Sequence, residues 1–143
     1  MKSEIKQLWI DALRSGDYEQ GVGNLHQVGE YCCLGVLMDL ACKAEIAQEF
    51  EGEDGDDDDC VGYYTSRDPL RTVEYYSLTR EVMEWAGLPV GSHEGLLPTE
   101  IIYAIATDDT GKPITGKGRT LVSLNDQAKY TFSQIADVIE AQF

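Results

Sequence analysis

Ile5, Leu8, Trp9, Ala12 and Leu13 recur at i, i+3, i+4, i+7 and i+8, which predicts a helix from Ser3 to about Ser15 with one stripe facing the core. Ser3 is expected to cap its start, Gly16 to stop it and Trp9 to anchor the core. From Asp17 to Gly29 the periodicity breaks. Gly21, Gly23 and Gly29 surround Leu25 and Val28 and predict a turn, a short strand and a second turn. Tyr31 to Ala47 opens on an almost unbroken apolar run, too long for a typical strand and rich in Leu, Met and Ala. It is expected to form the central buried helix. Gly35 inside it costs about 1 kcal/mol against alanine, so a close helix or backbone approach is expected there. Asp39 is the polar exception. If buried, it needs a partner, because an isolated buried carboxylate is strongly unfavourable.

Further along, the pairs Tyr63-Tyr64 and Tyr75-Tyr76 read as short strands packing on the core. Ser77 or Thr79 starts a helix running through Trp85, ended by Gly87 and Pro89. The β-branched run within 96–107, the turn Asp108-Asp109-Thr110-Gly111 and Lys112-Pro113-Ile114-Thr115 read as part of a hairpin. Thr120 to Gln127 is expected to be a short helix with Leu121 and Leu124 inward. Thr131 and Gln134 make a capping-box pattern ahead of the apolar stripe Phe132, Ile135, Ala136 and Ile139. Together these elements predict an α+β fold in one domain spanning 1–143, with amphipathic terminal helices around a buried central helix and a small antiparallel sheet. The 143 residues, 43% hydrophobic and 26% charged, suit a globular chain of that size. No apolar run approaches the roughly 18 residues of a membrane span. Met1-Lys2-Ser3-Glu4-Ile5 does not open a signal peptide, so no membrane partner is expected.

Charge changes the picture. With 11 Lys and Arg against 26 Asp and Glu, the net charge is −15, which argues against direct nucleic-acid binding. Residues 51–59 (EGEDGDDDD) carry −7 of it and are expected to form a solvated loop, leaving −8 for the rest. An EF-hand loop starting at Asp54 would need glycine where Asp59 stands and glutamate where Thr65 stands, so a dedicated calcium site is not expected. Asp54, Asp56, Asp57, Asp58 and Asp59 are instead candidate contacts for a basic protein surface.

Cys32, Cys33 and Cys42 sit in or beside the most apolar segment, and Cys60 closes the acidic run. Reduced, mostly buried thiols fit this better than a disulfide framework. A zinc site from Cys32, Cys42 and Cys60 with His26 or His93 lacks any tight C-x-x-C pair. A nucleophilic Cys32 or Cys33, with His26 or His93 as base and Asn125 or Asp126 as orienting groups, has the residue types but no distinctive spacing. No catalytic residue, metal or cofactor is therefore assigned. Gly21-Val22-Gly23 lacks the lysine and the spacing of a phosphate cradle. The C-terminal helix has too few cations nearby for a helix-turn-helix reader of DNA. Tyr63, Tyr64, Arg67, Arg71, Tyr75 and Tyr76 form the alternative ligand site, where stacking and guanidinium contacts would hold a nucleotide.

Four pieces, taken in order, carry a resemblance: Trp9 to Gly21 (WIDALRSGDYEQG), Tyr31 to Leu37 (YCCLGVL), Leu78 to Leu88 (LTREVMEWAGL), and Leu124-Asn125-Asp126 with Phe132 to Glu140 (FSQIADVIE). In this order they resemble a group of small tailed-phage and prophage proteins. Members of the group usually have a small residue soon after the Asn-Asp pair, where this chain has Gln127-Ala128-Lys129-Tyr130. The resemblance implies a setting, the cytoplasm of a phage-infected bacterium, and no reaction. The resulting expectation is a non-catalytic binding protein that interferes with a host system, a defence system first among them, through a host protein with a basic surface. The alternative is a sponge, in oligomeric form, for a nucleotide-derived signal.

Overall fold

The computed structural model describes residues 1–50, 60–68, 72–90, 103–104 and 119–143. Helix α1 spans Ser3–Ser15 and ends at Gly16. Ser3 lies inside the helix, and Lys2 takes the cap position without a side-chain bond. A tertiary contact fixes the start instead, since the Lys2 amide donates to the Ala86 carbonyl at 2.9 Å. Ile5, Trp9, Ile10 and Leu13 face the core, whereas Leu8, expected there, is 51% exposed. Trp9 is buried as expected, and its indole N–H donates to the Cys33 carbonyl at 3.0 Å.

The glycine-rich stretch folds into more than the single strand its pattern suggests. Strands β1 (Glu19–Gln20), β2 (His26–Gln27) and β3 (Glu30–Tyr31) form a sheet in the order β1-β3-β2. β1 runs parallel to β3 and β2 antiparallel to it. Val28 and Gly29 make the β2–β3 turn, both at positive φ (52° and 84°), the geometry of a type I′ hairpin.

Helix α2, Cys33–Lys43, is the buried central helix. It is shorter than the predicted segment because Tyr31 pairs in β3, Cys32 caps the start, and Glu45 turns the chain at a φ of 60°. Strands β4 (Gln48–Phe50) and β5 (Gly62–Tyr64) pair antiparallel, with Tyr63 also bridging Glu74. Helix α3, Arg80–Ala86, is capped by Thr79 and stopped by Gly87, as predicted. Strands β6 (Tyr103–Ala104) and β7 (Arg119–Thr120) pair antiparallel; β6 falls within the first arm of the predicted hairpin, whose turn at 108–111 and return at 112–115 lie outside the described residues. Thr120 caps α4 (Leu121–Asp126), with Leu121 and Leu124 buried. Thr131 and Gln134 form the predicted capping box of α5, Phe132–Gln142, whose buried face is Phe132, Ile135, Ala136 and Ile139. α1 packs against α5 and α2, and α4 bridges α2 and α5. This is an α+β arrangement in which helices supply most of the core and small sheets close its sides. Among the described residues no helix is long and apolar enough to cross a membrane.

Candidate functional site

The sequence-derived candidates divide sharply in the folded chain. Tyr63 is wholly buried in β5, with its hydroxyl 3.3 Å from Nδ1 of His26 and its pKa pushed far up by burial. Neither face of its ring is open for stacking. Tyr64 is partly exposed and donates to Oε1 of Gln48 at 2.6 Å. The Tyr75 ring covers Gly62, where an added Cβ would come within 2.9 Å of it, while Tyr76 is 65% exposed. These last two rings are tilted neighbours, 6.4 Å between centroids. Arg67 is exposed and lines two clefts of about 440 and 370 Å³, both also lined by Glu81. The buried hydroxyl of Thr65, at the edge of the smaller cleft, has no hydrogen-bond partner among the described residues. Arg71, Asp54, Asp56, Asp57, Asp58, Asp59 and His93 lie outside the described residues.

The cysteines do not have the environment of nucleophiles. Burial pushes the Cys32 thiol up to about 11 and Cys33 well above its ordinary value, so both remain protonated at neutral pH. Cys32 serves as the cap of α2, its sulfur accepting from the Gly35 amide at 3.4 Å, and Cys33 Sγ donates to the Leu121 carbonyl at 3.6 Å. Cys42 is also raised, to about 12. His26 stacks on Tyr31, with centroids 4.0 Å apart, and burial lowers its pKa. Asn125, the would-be orienting group, is committed elsewhere: its amide donates to the Gly21 carbonyl and to Asp126, and its oxygen accepts from Gln20. No group of three or more His, Cys, Asp or Glu side chains gathers to hold a metal ion among the described residues.

A groove of about 530 Å³ between α1 and α2 is the site that sequence reasoning missed. Leu8, Asp11, Ala12 and Ser15 supply the α1 wall, since these spacings share one helix face. Asp39, Leu40 and Lys43 supply the α2 wall, and Tyr18 and Tyr31 close one end. Asp39 is partly buried, with a side chain 13% exposed, and it has the partners that a carboxylate taken out of water needs. It accepts from the Tyr18 hydroxyl and from Nζ of Lys43 at 2.8 Å, while Lys43 also donates to the Tyr18 oxygen at 2.9 Å. Lys43 therefore has a raised pKa, first through its bond to Asp39 and then through Tyr18. Its ammonium lies 5.2 Å from the Tyr18 ring centroid, and the Tyr31 ring meets Tyr18 edge-on at 5.1 Å. The signal in the sequence was Leu8, an apolar position on the helical stripe that the core does not use.

Residues 1–143 match the family model described as a domain of unknown function, DUF8296. The chain belongs to that family. No curated protein and no solved structure matches it. The four sequence pieces now have positions: WIDALRSGDYEQG runs through α1 into β1, YCCLGVL opens α2, LTREVMEWAGL contains α3, and the last builds α4 and α5. The first and last meet at Gln20 and Asn125, so at least part of what they encode is packing.

Proposed function

We propose that the chain is a non-catalytic, phage-encoded binding protein that acts in the host bacterial cytoplasm by occupying the basic surface of a host protein, with a defence component as the target class. The observation that carries this is how the cations are used. Arg14 is bound to Asp137 and Glu140, Lys43 to Asp39, and Arg80 to Glu84, while Lys6 rests on the Glu140 carbonyl. Among the described residues three of the eleven cations are thus ion-paired within a chain whose net charge is −15. The field left over is negative, which attracts a basic partner at long range and repels nucleic acid. The acidic run 51–59, including Asp54, Asp56, Asp57, Asp58 and Asp59, adds to that field. The resemblance to small phage proteins supplies the setting.

The test begins with proteins that co-purify from infected cells, identified by mass spectrometry and then remade pure. Affinity should fall as salt rises, and neutralising residues 51–59 should chiefly slow association. Affinity indifferent to salt would overturn the reading. The nucleotide-sponge reading keeps Arg67 in its favour, a guanidinium with no ion pair among the described residues, beside the unpartnered Thr65 hydroxyl. Calorimetry against cyclic and linear nucleotides decides between them. Tight, saturable binding lost in Arg67→Ala would replace the protein-partner reading with the sponge.

A further inference from the structure

We infer that the α1–α2 groove is the docking site for an arginine side chain presented by the basic partner; this rests on the reading of the chain as a binder of basic protein surfaces. Three features of the groove converge on that occupant. Its two walls present apolar surface, with Leu8 51% exposed beside Ala12 and with Leu40 across from them, which suits the methylene stem of a long cationic side chain. Its rim carries carboxylates without cations. Asp11 accepts from the neutral Gln7 amide at 2.8 Å, and neither Asp11 nor Asp17 forms an ion pair among the described residues. The closed end already holds one cation. Lys43 sits against the Tyr18 ring and is bonded to Asp39 and the Tyr18 hydroxyl, so this corner shows a cation held by carboxylate and ring face together and is already filled. Lys43 satisfies Asp39, and Asp11 and Asp17 are left for an incoming group. Arginine fits this setting better than lysine because its planar guanidinium bonds a carboxylate through two N–H groups at once.

The probe is a short blocked peptide alternating alanine and arginine, with lysine and citrulline counterparts, titrated into the isotope-labelled full chain at low salt. Amide shifts should saturate at Leu8, Asp11, Ala12, Tyr18 and Leu40 for the arginine peptide, with weaker effects for lysine and none for citrulline. Asp11→Asn and Asp17→Asn should each weaken binding about threefold, as for exposed ion pairs. Leu8→Ala should weaken it comparably, and all three side chains are exposed enough for the variants to fold. Shifts that saturate on other acidic surfaces, unchanged in these variants, would overturn the groove and leave the basic-partner reading standing. Equal response to lysine would overturn the choice of arginine. If neither the arginine nor the lysine peptide binds and no basic protein co-purifies, both readings fall.

Discussion

The Cα of Gly35 lies so close to the Leu25 carbonyl that a Cβ built there would stand 1.7 Å from its oxygen. Leu25 cannot retreat cheaply. Its amide donates to the Tyr75 carbonyl at 2.8 Å, and its carbonyl accepts from the Cys32 amide at 3.1 Å. Gly35→Ala should therefore destabilise the chain by about 3 kcal/mol or more, at the severe end of overpacking. In a domain of this size that lowers the melting temperature by roughly 6–12 °C. Thermal unfolding followed by circular dichroism checks it, and an unchanged midpoint would mean that the backbone contact is soft.

Val28 presents the opposite case. It holds a φ of 52° at the tip of the β2–β3 hairpin with its side chain exposed, so it bears strain and gains no burial in return. A β-branched residue is poorly suited to that conformation, whereas Asn-Gly is the favoured pair for such a turn. Val28→Asn should stabilise by about 1 kcal/mol. A lower denaturation midpoint in the variant would show that Val28 makes contacts that outweigh its backbone cost.

Tyr18, Asp39 and Lys43 should behave as a unit. Tyr18→Phe leaves the nearly buried Asp39 with one donor fewer and should cost about 1–2 kcal/mol. Lys43→Met removes a largely exposed ammonium and should cost about 0.5 kcal/mol. Because both groups serve the same carboxylate, a double-mutant cycle should depart measurably from additivity. Simple additivity would mean that the three side chains do not share one network.

What could be read from the chain beforehand follows the range of the interactions. The capping box of Thr131 and Gln134 is closed by neighbours in sequence, so α5 was legible to its first residue. Gly35 was legible as an exception, a glycine where the helix should reject one, although its partner Leu25 was not. Leu8 misled because a helical stripe states which positions are apolar but not which neighbours arrive to cover them. Ser3 misled for a similar reason: α1 starts where Lys2 meets Ala86, a contact between distant parts of the chain. The groove has the same origin, since its two walls and closed end come from different elements.

Alkaline pH should weaken the fold earlier than it would a chain with exposed thiols. Burial raises Cys32 from its ordinary 9.0 to about 11, and Cys33, Cys42 and Tyr63 move in the same direction. In the folded chain these groups stay protonated while the unfolded chain begins to lose protons near pH 9. Stability is therefore fully present below that pH and declines as pH rises toward the folded values. The Cys32 share alone is about 2 kcal/mol by pH 11. Raised Lys43 acts in the same sense above its ordinary 10.5. Urea midpoints measured across this range should fall, and less steeply in Cys32→Ser, which keeps a capping oxygen but does not titrate. Equal slopes in both proteins would show that Cys32 is not the buried thiol responsible.

The bond between Gln20 and Asn125 should be among the most sensitive polar contacts in the chain. Gln20 donates to Asn125 Oδ1 at 2.9 Å and to the Tyr130 carbonyl at 2.7 Å, and its own oxygen accepts from the Phe132 amide at 2.9 Å. Asn125 is 1% exposed and donates in turn to the Gly21 carbonyl at 2.8 Å. One glutamine thus fixes the end of α4, the chain between α4 and α5, and the first amide of α5 against β1. Gln20→Ala would strand several of these groups with little water to replace the lost partner, and each unsatisfied buried group costs about 1–3 kcal/mol. Gln20→Glu separates geometry from hydrogen bonding. Its carboxylate can still accept from Phe132 but cannot donate to Asn125 or Tyr130, so at neutral pH it should be nearly as damaging as alanine. Lowering the pH protonates the carboxyl, returns one donor, and should recover part of the loss for the glutamate variant alone. Hydrogen exchange at the Phe132 amide, compared across both variants and pH values, reads the contact directly. Unchanged protection in Gln20→Ala would mean that apolar packing, and not this polar clamp, holds α5 in place.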